Sequence, residues 1–422
     1  MPIICGTDLS PASAEALDVA RAFALLRGES EVVLVHVADP AGNENVKEDA
    51  LDEARAALDD IARSRTGLPT VRTELLIGTP DETLLHFAET EDSNLIVISH
   101  RSTGTQARLG STASKVTVRA QVPVLLVREA AALIAFAQKE RPLRVLLGVD
   151  ESASCDVGIQ WTHALRELGP TEVVLGGIYY PDDAAAHYGL HVESMVEGDP
   201  EIEKLIARDL LRRFGTSIDG VSTGVVAHPR RGLGRIGDHL IELANDEKVD
   251  LIVVGTSHKS GLNRLGSVSS VIVNDAPQSI VVVPPHASLR TITIPQIRGA
   301  LVATDFSPFA NRAVAYAFTL TPPDGVVHIV HVVKADAEVD VPELERQLRA
   351  LAPVGVTQTI VPQIVRGDEP AVTLARCAAR HGVDVICISS HGRSGIARAL
   401  VGSVADQLIR ATRLPVLVLR PA

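Results

Sequence analysis

The sequence has few aromatic residues, which make up 3% of its 422 positions. A surface that stacks the bases of single-stranded nucleic acid depends on such rings, so this class of binder is disfavoured. An excess of basic residues is also absent, because the net charge is −12. Binding to a duplex depends on lysine and arginine neutralising phosphates, and we therefore expect no nucleic-acid partner.

Long apolar runs are missing as well. No stretch of about 18 apolar residues occurs, so neither a membrane span nor a membrane partner is expected. The N-terminus enters a strand-like run directly, without the charged segment and long apolar stretch of a secretory leader. The four cysteines form no Cys-x-x-Cys pair, which is typical of buried thiols in a reducing compartment: Cys5, Cys155, Cys377 and Cys387. The expected localisation is cytoplasmic.

One phrase occurs three times in the chain. An apolar run ends in an aspartate and a serine two residues later, at 5–14, 146–155 and 301–310. A second apolar run then leads into a Gly/Ser/His loop and a Gly-Ser pair, at 96–111, 252–267 and 386–403. Each copy closes with another apolar run, at 123–128, 279–284 and 415–420. Such self-similarity indicates three copies of one domain.

Within each copy, short β-branched runs alternate with amphipathic segments in the order βαβαβαβαβ. This pattern is typical of a parallel sheet covered by helices on both faces. We expect an α/β fold of three tandem, doubly wound, Rossmann-like domains, each with a five-stranded parallel sheet in the order 3-2-1-4-5. The expected domains are 1–128, 141–286 and 298–422. Of the connectors, 129–140 is predicted to be a short helix or packed linker, 285–297 extended, and the excursion at 179–213 a loop cover.

The repeated polar residues fall on one crevice of this fold. In an open parallel sheet, ligands bind outside the carboxyl ends of the strands, where the strand order reverses. Here that point lies between strands 1 and 4, which the aspartate and the glycine-containing loop follow. Glycine lets the backbone approach a ligand closely, and the helix that begins at the Gly-Ser pair favours an anion at its N-terminus. Together these features indicate a nucleotide site.

At this point the chain resembles a known family. The phrases TDFSPFANRAV, VHIVHVV, SSHGRSGIARALVGSVADQLI and LPVLVLR are similar to the universal stress protein domain, and the resemblance covers nearly the whole chain. The ATP-binding branch of that family carries Gly-x2-Gly-x9-Gly-[Ser/Thr] after strand 4, with a strand-1 aspartate and a strand-2 valine completing the pocket. The other branch lacks these glycines and binds no nucleotide. The resemblance thus implies ATP as the cofactor, with or without Mg²⁺.

Copy three keeps the full spacing of this motif. The nucleotide-binding residues that the resemblance implies are Asp305, Val332, Ser389, His391, Gly392, Arg393, Gly402 and Ser403. Ser389 stands where the first glycine is expected, and a positive φ at that position would be unfavourable for serine.

The other two copies depart further from the motif. Copy two retains a weaker second site of Asp150, Gly255, Gly266 and Ser267, but its loop is shorter and His258 replaces the middle glycine. Copy one retains Asp8, Val37, Gly110 and Ser111. In that copy we assign Ile98 and Arg101 to the first two glycine positions.

No enzyme signature accompanies these residues. The P-loop, Gly-x-Ser-x-Gly and His-Glu-x-x-His motifs are all missing. The repeated serines Ser10, Ser152 and Ser307 are interpreted as helix caps rather than nucleophiles. We predict neither a catalytic residue nor a metal site.

The favoured hypothesis is a cytoplasmic universal stress protein that is not an enzyme. It binds ATP or a related adenine nucleotide mainly in copy three and acts as a stress-response sensor or regulator. One alternative is a nucleotide-free interaction scaffold of the same fold, and another is a weak nucleotide hydrolase. Domains of this family pair through their last strands, so two copies are expected to pair within the chain. The remaining copy would then pair with the same copy of a second chain, which makes the protein a homodimer.

Overall fold

The computed structural model describes residues 1–40, 48–100, 110–150, 152–190, 199–215, 224–256, 268–285, 287, 297–390 and 402–419. The chain forms two compact units. Unit 1 contains Met1–Tyr179 and Leu210–Thr293, whereas unit 2 contains Tyr180–Asp209 and Ile294–Ala422.

Strands and helices alternate along copy one as expected. They are β1 (Ile3–Thr7), α1 (Pro11–Leu26), β2 (Glu31–Ala38), α2 (Glu48–Ser64), β3 (Thr70–Ile77), α3 (Pro80–Thr90), β4 (Leu95–Ser99), α4 (Ser111–Arg119) and β5 (Val124–Val127). A connecting helix, α5 (Ala130–Ala137), follows. It packs on α1, with the rings of Phe23 and Phe136 6.2 Å apart, and Phe136 is fully buried. The prediction of a short helix or packed linker is therefore confirmed.

Copy two repeats this order with an insertion after its second strand. Its elements are β6 (Leu143–Gly148), α6 (Ala153–Leu168), β7 (Thr171–Tyr179), α7 (Pro181–Tyr188), α8 (Pro200–Phe214), β8 (Val225–Arg231), α9 (Ile236–Asp246), β9 (Leu251–Gly255), α10 (Val268–Asp275) and β10 (Ser279–Val283). The excursion expected to be a loop instead contains the two helices α7 and α8. Their sequences start at prolines, which suit the first helical turn, and carry acidic residues there that complement the helix dipole.

Copy three has the uninterrupted order again. Its elements are β11 (Gly299–Ala303), α11 (Pro308–Leu320), β12 (Val326–Val333), α12 (Val341–Ala350), β13 (Thr359–Arg366), α13 (Pro370–His381), β14 (Val385–Ser389), α14 (Ser403–Ala411) and β15 (Val416–Leu419). The connector at 285–297, expected to be extended, lies mostly outside the described residues.

The two sheets confirm the predicted strand order. Unit 1 holds one ten-stranded sheet, β3-β2-β1-β4-β5-β10-β9-β6-β7-β8, and unit 2 holds a five-stranded sheet, β13-β12-β11-β14-β15. Each copy therefore has the order 3-2-1-4-5, and all pairs within a copy are parallel. The inner strands are almost completely buried, as expected for β-branched strands with helices on both faces, whereas the edge strands β3, β8, β13 and β15 are mostly half-buried.

Copies one and two join through their last strands. β5 and β10 pair antiparallel, with Leu125 opposite Val281 and Leu126 opposite Ile280. Both strands are buried, and one continuous apolar core extends from copy one into copy two. The predicted pairing of two copies within the chain is confirmed, and the pair consists of copies one and two.

Unit 2 includes residues 180–209 as well as copy three. Helix α7 packs against α13, which covers one face of the copy-three sheet. The last strand, β15, is only half-buried along its length, unlike β5 and β10. Among the described residues of the whole chain, no helix has the length and apolar character needed to cross a membrane.

Candidate functional site

The turn after the first strand has the same construction in all three copies. The carboxylates of Asp8, Asp150 and Asp305 accept hydrogen bonds from the backbone N–H two residues ahead, at 3.1, 2.9 and 3.0 Å. The serines that donate these bonds also cap the following helix, each accepting from a backbone N–H in its first turn. The interpretation of Ser10, Ser152 and Ser307 as caps is confirmed, and the aspartates have a structural role whatever else they do.

The residue between aspartate and serine has an unusual backbone. Leu9 and Phe306 both have φ of +63°, in the left-handed region that costs a side chain with a Cβ about 1 kcal/mol or more. The equivalent residue of copy two, Glu151, lies outside the described residues. Positive φ at non-glycine residues is enriched at functional sites, and here it occurs at the same position in two copies.

The second strand presents a histidine to this turn in copies one and three. Nδ1 of His36 lies 2.9 Å from the carbonyl oxygen of Thr7, and Nδ1 of His331 lies 2.8 Å from that of Thr304. The His331 ring also packs against Phe306, with ring centroids 4.8 Å apart. Sequence reasoning missed this contact, although the repeated His-Val pair was a signal for it.

Val332 follows His331 and lies half-buried at the carboxyl end of β12, and Asp305 lies two residues after the end of the neighbouring strand β11. The strand register shows that Gly177 is the residue of copy two that corresponds to His331 of copy three. Leu210 fills the space there, since a Cβ on Gly177 would lie only 2.8 Å from its side chain. The turn of copy two is therefore supported by apolar packing instead of an imidazole.

The end of the fourth strand gives one correction. Ser99, Gly255 and Ser389 each pair with the last residue of the final strand of their copy, so these three positions are equivalent. The assignment of Ile98 to this position was wrong by one residue, because Ile98 is a buried residue inside β4. Ser389 is not among the residues with positive φ, so the expected conflict with serine does not arise.

Gly255 has a packing reason for being glycine. A Cβ at this residue would lie 2.2 Å from the carbonyl oxygen of Ser154 in the first turn of α6. The helix can approach β9 this closely only because the side chain is missing. This glycine is therefore explained without a ligand.

The helix that follows the loop starts in the same way in copies one and three. Gly110 and Gly402 are the N-cap residues of α4 and α14, and neither helix start is capped by a side chain within the described residues. Gly402 has φ of −64°, so glycine is not required there by backbone strain. Ser403 is the first helical residue and is exposed.

The fold brings part of the predicted site together. Asp305, Val332, Ser389 and the Gly402–Ser403 helix start lie at the carboxyl edge of the copy-three sheet, on its three central strands and on the helix that follows β14. The predicted residues His391, Gly392, Arg393, Gly266 and Ser267 lie outside the described residues. Copy two has a small cavity of about 80 Å³ at the corresponding edge, lined by Asp150, Ser152, Cys155 and Gly255 among others. For comparison, an engineered cavity that holds benzene measures about 150 Å³.

The thiols and possible metal ligands do not indicate catalysis. All four cysteines are free and buried, and burial raises the pKa of Cys155 to about 11 and that of Cys387 to about 12. They are therefore protonated at neutral pH and poor nucleophiles. In the part of the chain that the structure describes, no group of three or more His, Cys, Asp or Glu residues is arranged to hold a metal ion.

Comparison with known proteins agrees with this geometry. The model of the universal stress protein family matches residues 1–128, 143–284 and 297–420. The chain belongs to the universal stress protein family. A universal stress protein of Mycobacterium tuberculosis is 31% identical over 196 residues, which is 43% of this chain and 64% of that relative's length.

Solved universal stress proteins are similar to parts of the chain. One from Archaeoglobus fulgidus is 17% identical, with a TM-score of 0.49, and the match covers 67% of this chain and 96% of the other. A universal stress protein solved in complex with cAMP is 23% identical, with a TM-score of 0.26, and the match covers 30% of this chain and 96% of the other.

Proposed function

We propose that this universal stress protein binds ATP or a related adenine nucleotide in copy three and acts as a cytoplasmic stress-response regulator without efficient turnover. The observation that carries the proposal is the position of Asp305 and of the α14 start. They follow the neighbouring strands β11 and β14, at the point where the strand order reverses. This is where ligands bind in open parallel sheets.

The described residues suit the parts of a nucleotide. The N-terminus of α14 points its first N–H groups and its helix dipole toward a phosphate. Its N-cap, Gly402, leaves room for close approach of that phosphate. Val332 supplies backbone and an apolar side chain at the end of β12, as the family resemblance implies for the adenine. Any Mg²⁺ would arrive with the phosphates, since no cluster of three possible metal ligands occurs among the described residues.

The site can be tested by equilibrium binding of labelled ATP to the full-length protein. We expect saturable binding that Gly402→Val abolishes, because the new side chain would block the helix start. The matched variant Gly110→Val alters the equivalent helix start in copy one and should leave binding unchanged. A second pair, Asp305→Asn and Asp8→Asn, removes one negative charge while the amide oxygen can still accept the N–H bond of the turn. Absence of saturable binding at millimolar nucleotide would refute the proposal.

A nucleotide-free scaffold is the second candidate. It is favoured by the shared role of Asp8, Asp150 and Asp305, whose hydrogen bonds explain their presence in all three copies without a ligand. The two hypotheses differ in a thermal-shift experiment with ATP and Mg²⁺. A nucleotide site raises the melting temperature with nucleotide concentration, whereas a scaffold leaves it unchanged.

The partner proposed for copy three is a second copy of the chain. The other sheet edges are protected: β8 and β13 contain Pro229 and Pro362, which cannot donate to a further strand, and β3 carries Arg72 and Glu74. The sequence of β15 is Val-Leu-Val-Leu, and this strand has no such protection. In copies one and two the equivalent strands cover each other.

The pairing of β5 with β10 also gives the register of the proposed dimer. Leu125 and Val281 are equivalent residues, and they lie opposite each other. The corresponding residue of copy three is Leu417, by its pairing with Cys387. Two β15 strands related in the same way place Leu417 opposite Leu417 and Val416 opposite Val418.

This register predicts a specific cross-link. Leu417→Cys should form an interchain disulfide under mild oxidation, whereas Val418→Cys should not, since its partner in the opposite strand would be Val416. Light scattering of the untreated protein should report twice the chain mass. A monomeric mass at micromolar concentration, or equal cross-linking of both variants, would refute the pairing.

A further inference from the structure

The C-terminal end of α13 accepts an arginine from the 180–209 segment. Within unit 2, the guanidinium of Arg208 donates to the carbonyl oxygens of Arg380 and Ala379, at 2.5 and 2.6 Å. The last carbonyls of a helix have no partners within the helix, so this fork supplies a donor to the Arg380 carbonyl. It adds a second donor to the Ala379 carbonyl, which already accepts from the N–H of Gly382. Asp209 holds the same guanidinium at 2.8 Å from its Nε.

The chain makes room for this arginine. Gly382, just after α13, has φ of +62°, and a Cβ there would lie 2.8 Å from the Arg208 guanidinium. The equivalent residues of copies one and two, Asp92 and Lys248, also have positive φ but carry side chains. Copy three alone thus combines the left-handed turn with the space that Arg208 occupies.

Further contacts hold the segment to α13. The hydroxyl of Tyr188 donates to Asp209 at 2.8 Å, and Glu201 pairs with Arg380 at 3.3 Å. Gly189 ends α7 with φ of +66° against the side chain of Arg376. The docked segment is therefore held by side chains from both of its helices.

Two histidines lie beside this contact. His328 on β12 is 8% exposed, and its ring stacks on that of His381, the last residue of α13, with centroids 4.5 Å apart. The side-chain nitrogen of Gln363, Nε2, lies 2.9 Å from Nε2 of His381. Nδ1 of His328 is buried and has no hydrogen-bond partner among the described residues. Burial of Nδ1 without a partner disfavours a second proton on this ring, and a hydrogen bond with Gln363 acts in the opposite direction.

The two sister copies have neither histidine. The strand register places Val33 and Val174 at the position of His328. At the ends of the corresponding helices, Glu91 and Glu247 take the place of His381. Glu91 forms an ion pair with Arg72 and Glu247 one with Arg144, each at 2.5 Å. A permanent ion pair in copies one and two is replaced in copy three by a pair of imidazoles that can gain charge.

We propose that residues 180–209 form an acid-released latch on α13. Protonation of the His328–His381 pair introduces positive charge beside Arg208 and Arg380, loosens the end of α13 and frees the segment. The proposal does not depend on the nucleotide site.

The charges around the pair support this direction. Burial and then the charge of His381 lower the pKa of His328 to about 4. Burial, followed by Arg380 and Arg208, lowers the pKa of His381. The other groups packed around the contact are the cation Arg376, the anions Asp209 and Glu201, and the titratable groups His187, Tyr188 and Cys377.

Two of these other groups keep their protons throughout the acid range. Burial raises the pKa of Tyr188 above its ordinary value and that of Cys377 to about 11. His187 behaves like the pair, because burial lowers its pKa, with Arg208 acting in the same direction and Asp209 against it. His328 therefore gains positive charge at the latch as the pH falls toward about 4, and His381 and His187 add to it below the pH at which an ordinary histidine titrates.

Hydrogen exchange of the full-length protein at pH 7.5 and 5.0 tests the latch, with exchange times scaled for intrinsic pH dependence. We expect the protection of residues 181–190 and 200–208 to fall at least about tenfold at the lower pH. The double variant His328→Val, His381→Gln should retain its protection at pH 5.0. Arg208→Lys, which loses the planar fork, should show low protection at both pH values.

A matched control is His86→Gln on α3, the helix of copy one that corresponds to α13, where the histidine is exposed. This variant should behave like the parent protein. Unchanged protection of the parent between the two pH values would overturn the proposal, as would an equal loss in the double variant. If the double variant fails to fold, NMR titration of His328 in the parent decides, since a pKa near the ordinary 6.5 would equally overturn it.

Discussion

Replacing His328 by valine should make copy three less sensitive to acid. Valine occupies the equivalent buried position in both sister copies, so the substitution suits this place in the sheet. The imidazole has a lowered pKa in the folded state because burial disfavours its charged form. The unfolded state therefore binds a proton at higher pH than the folded state does. Stability contributed by the neutral ring is fully present above the unfolded pKa and falls as the pH drops toward the folded one.

The size of the effect follows from the two pKa values. With about 4 in the folded protein and about 6.5 in the unfolded chain, the full difference is worth about 3 kcal/mol. Most of it develops early, because about 2 kcal/mol is already lost between pH 7.5 and pH 5.0. His328 is 8% exposed, so solvent screening reduces this figure little.

Pulse proteolysis in urea measures this difference on the full-length protein. Peptides from residues 299–390 report the unfolding of copy three, and the urea midpoint at each pH gives its free energy of unfolding. The parent protein should lose about 2 kcal/mol more than His328→Val between pH 7.5 and 5.0. His86→Gln serves as the control and should follow the parent. If His328→Val keeps the parent's pH dependence, the buried imidazole is not the origin of acid sensitivity.

Three further predictions concern stability. Gly255→Ala should destabilise copy two by about 1–3 kcal/mol, because its Cβ would overlap the Ser154 carbonyl. Denaturation is followed with peptides from copy two, and an unchanged stability would mean that α6 can shift freely and would contradict the packing role of Gly255. Ser307→Ala should cost about 1 kcal/mol by removing the bond from the Ala310 N–H to the cap, and a Ser307→Thr variant that lost as much would contradict the capping role. Phe136→Ala should cost about 3–5 kcal/mol in unit 1, as measured by its urea midpoint, whereas a loss below about 1 kcal/mol would mean that α5 is not part of the core.

The fold could be predicted from the sequence because its signals are local and repeated. β-branched runs, the Ser-Pro helix starts and the alternation of strands and helices recur in each copy, and together they favour a doubly wound parallel sheet. The pairing of last strands also had a sequence signal, namely three apolar runs that would otherwise be exposed edges. The excursion was harder, since α7 and α8 are stabilised by packing that a single sequence does not reveal.

The candidate site was predictable only in part. The aspartates and the Gly-Ser helix starts occur at fixed places in each copy, so their meeting at one edge follows from the strand order. The Ile98 assignment failed because it was counted along a loop of different length, whereas strand pairing fixes Ser99 as the equivalent residue. The role of Gly255 could not be read either, since its close neighbour Ser154 is a hundred positions away in sequence.

The sequence by itself determined the three copies, their α/β order and the residues that end the first strand of each, because these depend on local pattern and periodicity. The tertiary structure alone decided which copies share a sheet and which of the three last strands is left half-buried. It also decided that residues 180–209 belong with copy three, and that His328 lies buried against His381. These outcomes depend on contacts between distant parts of the chain, which no local pattern encodes.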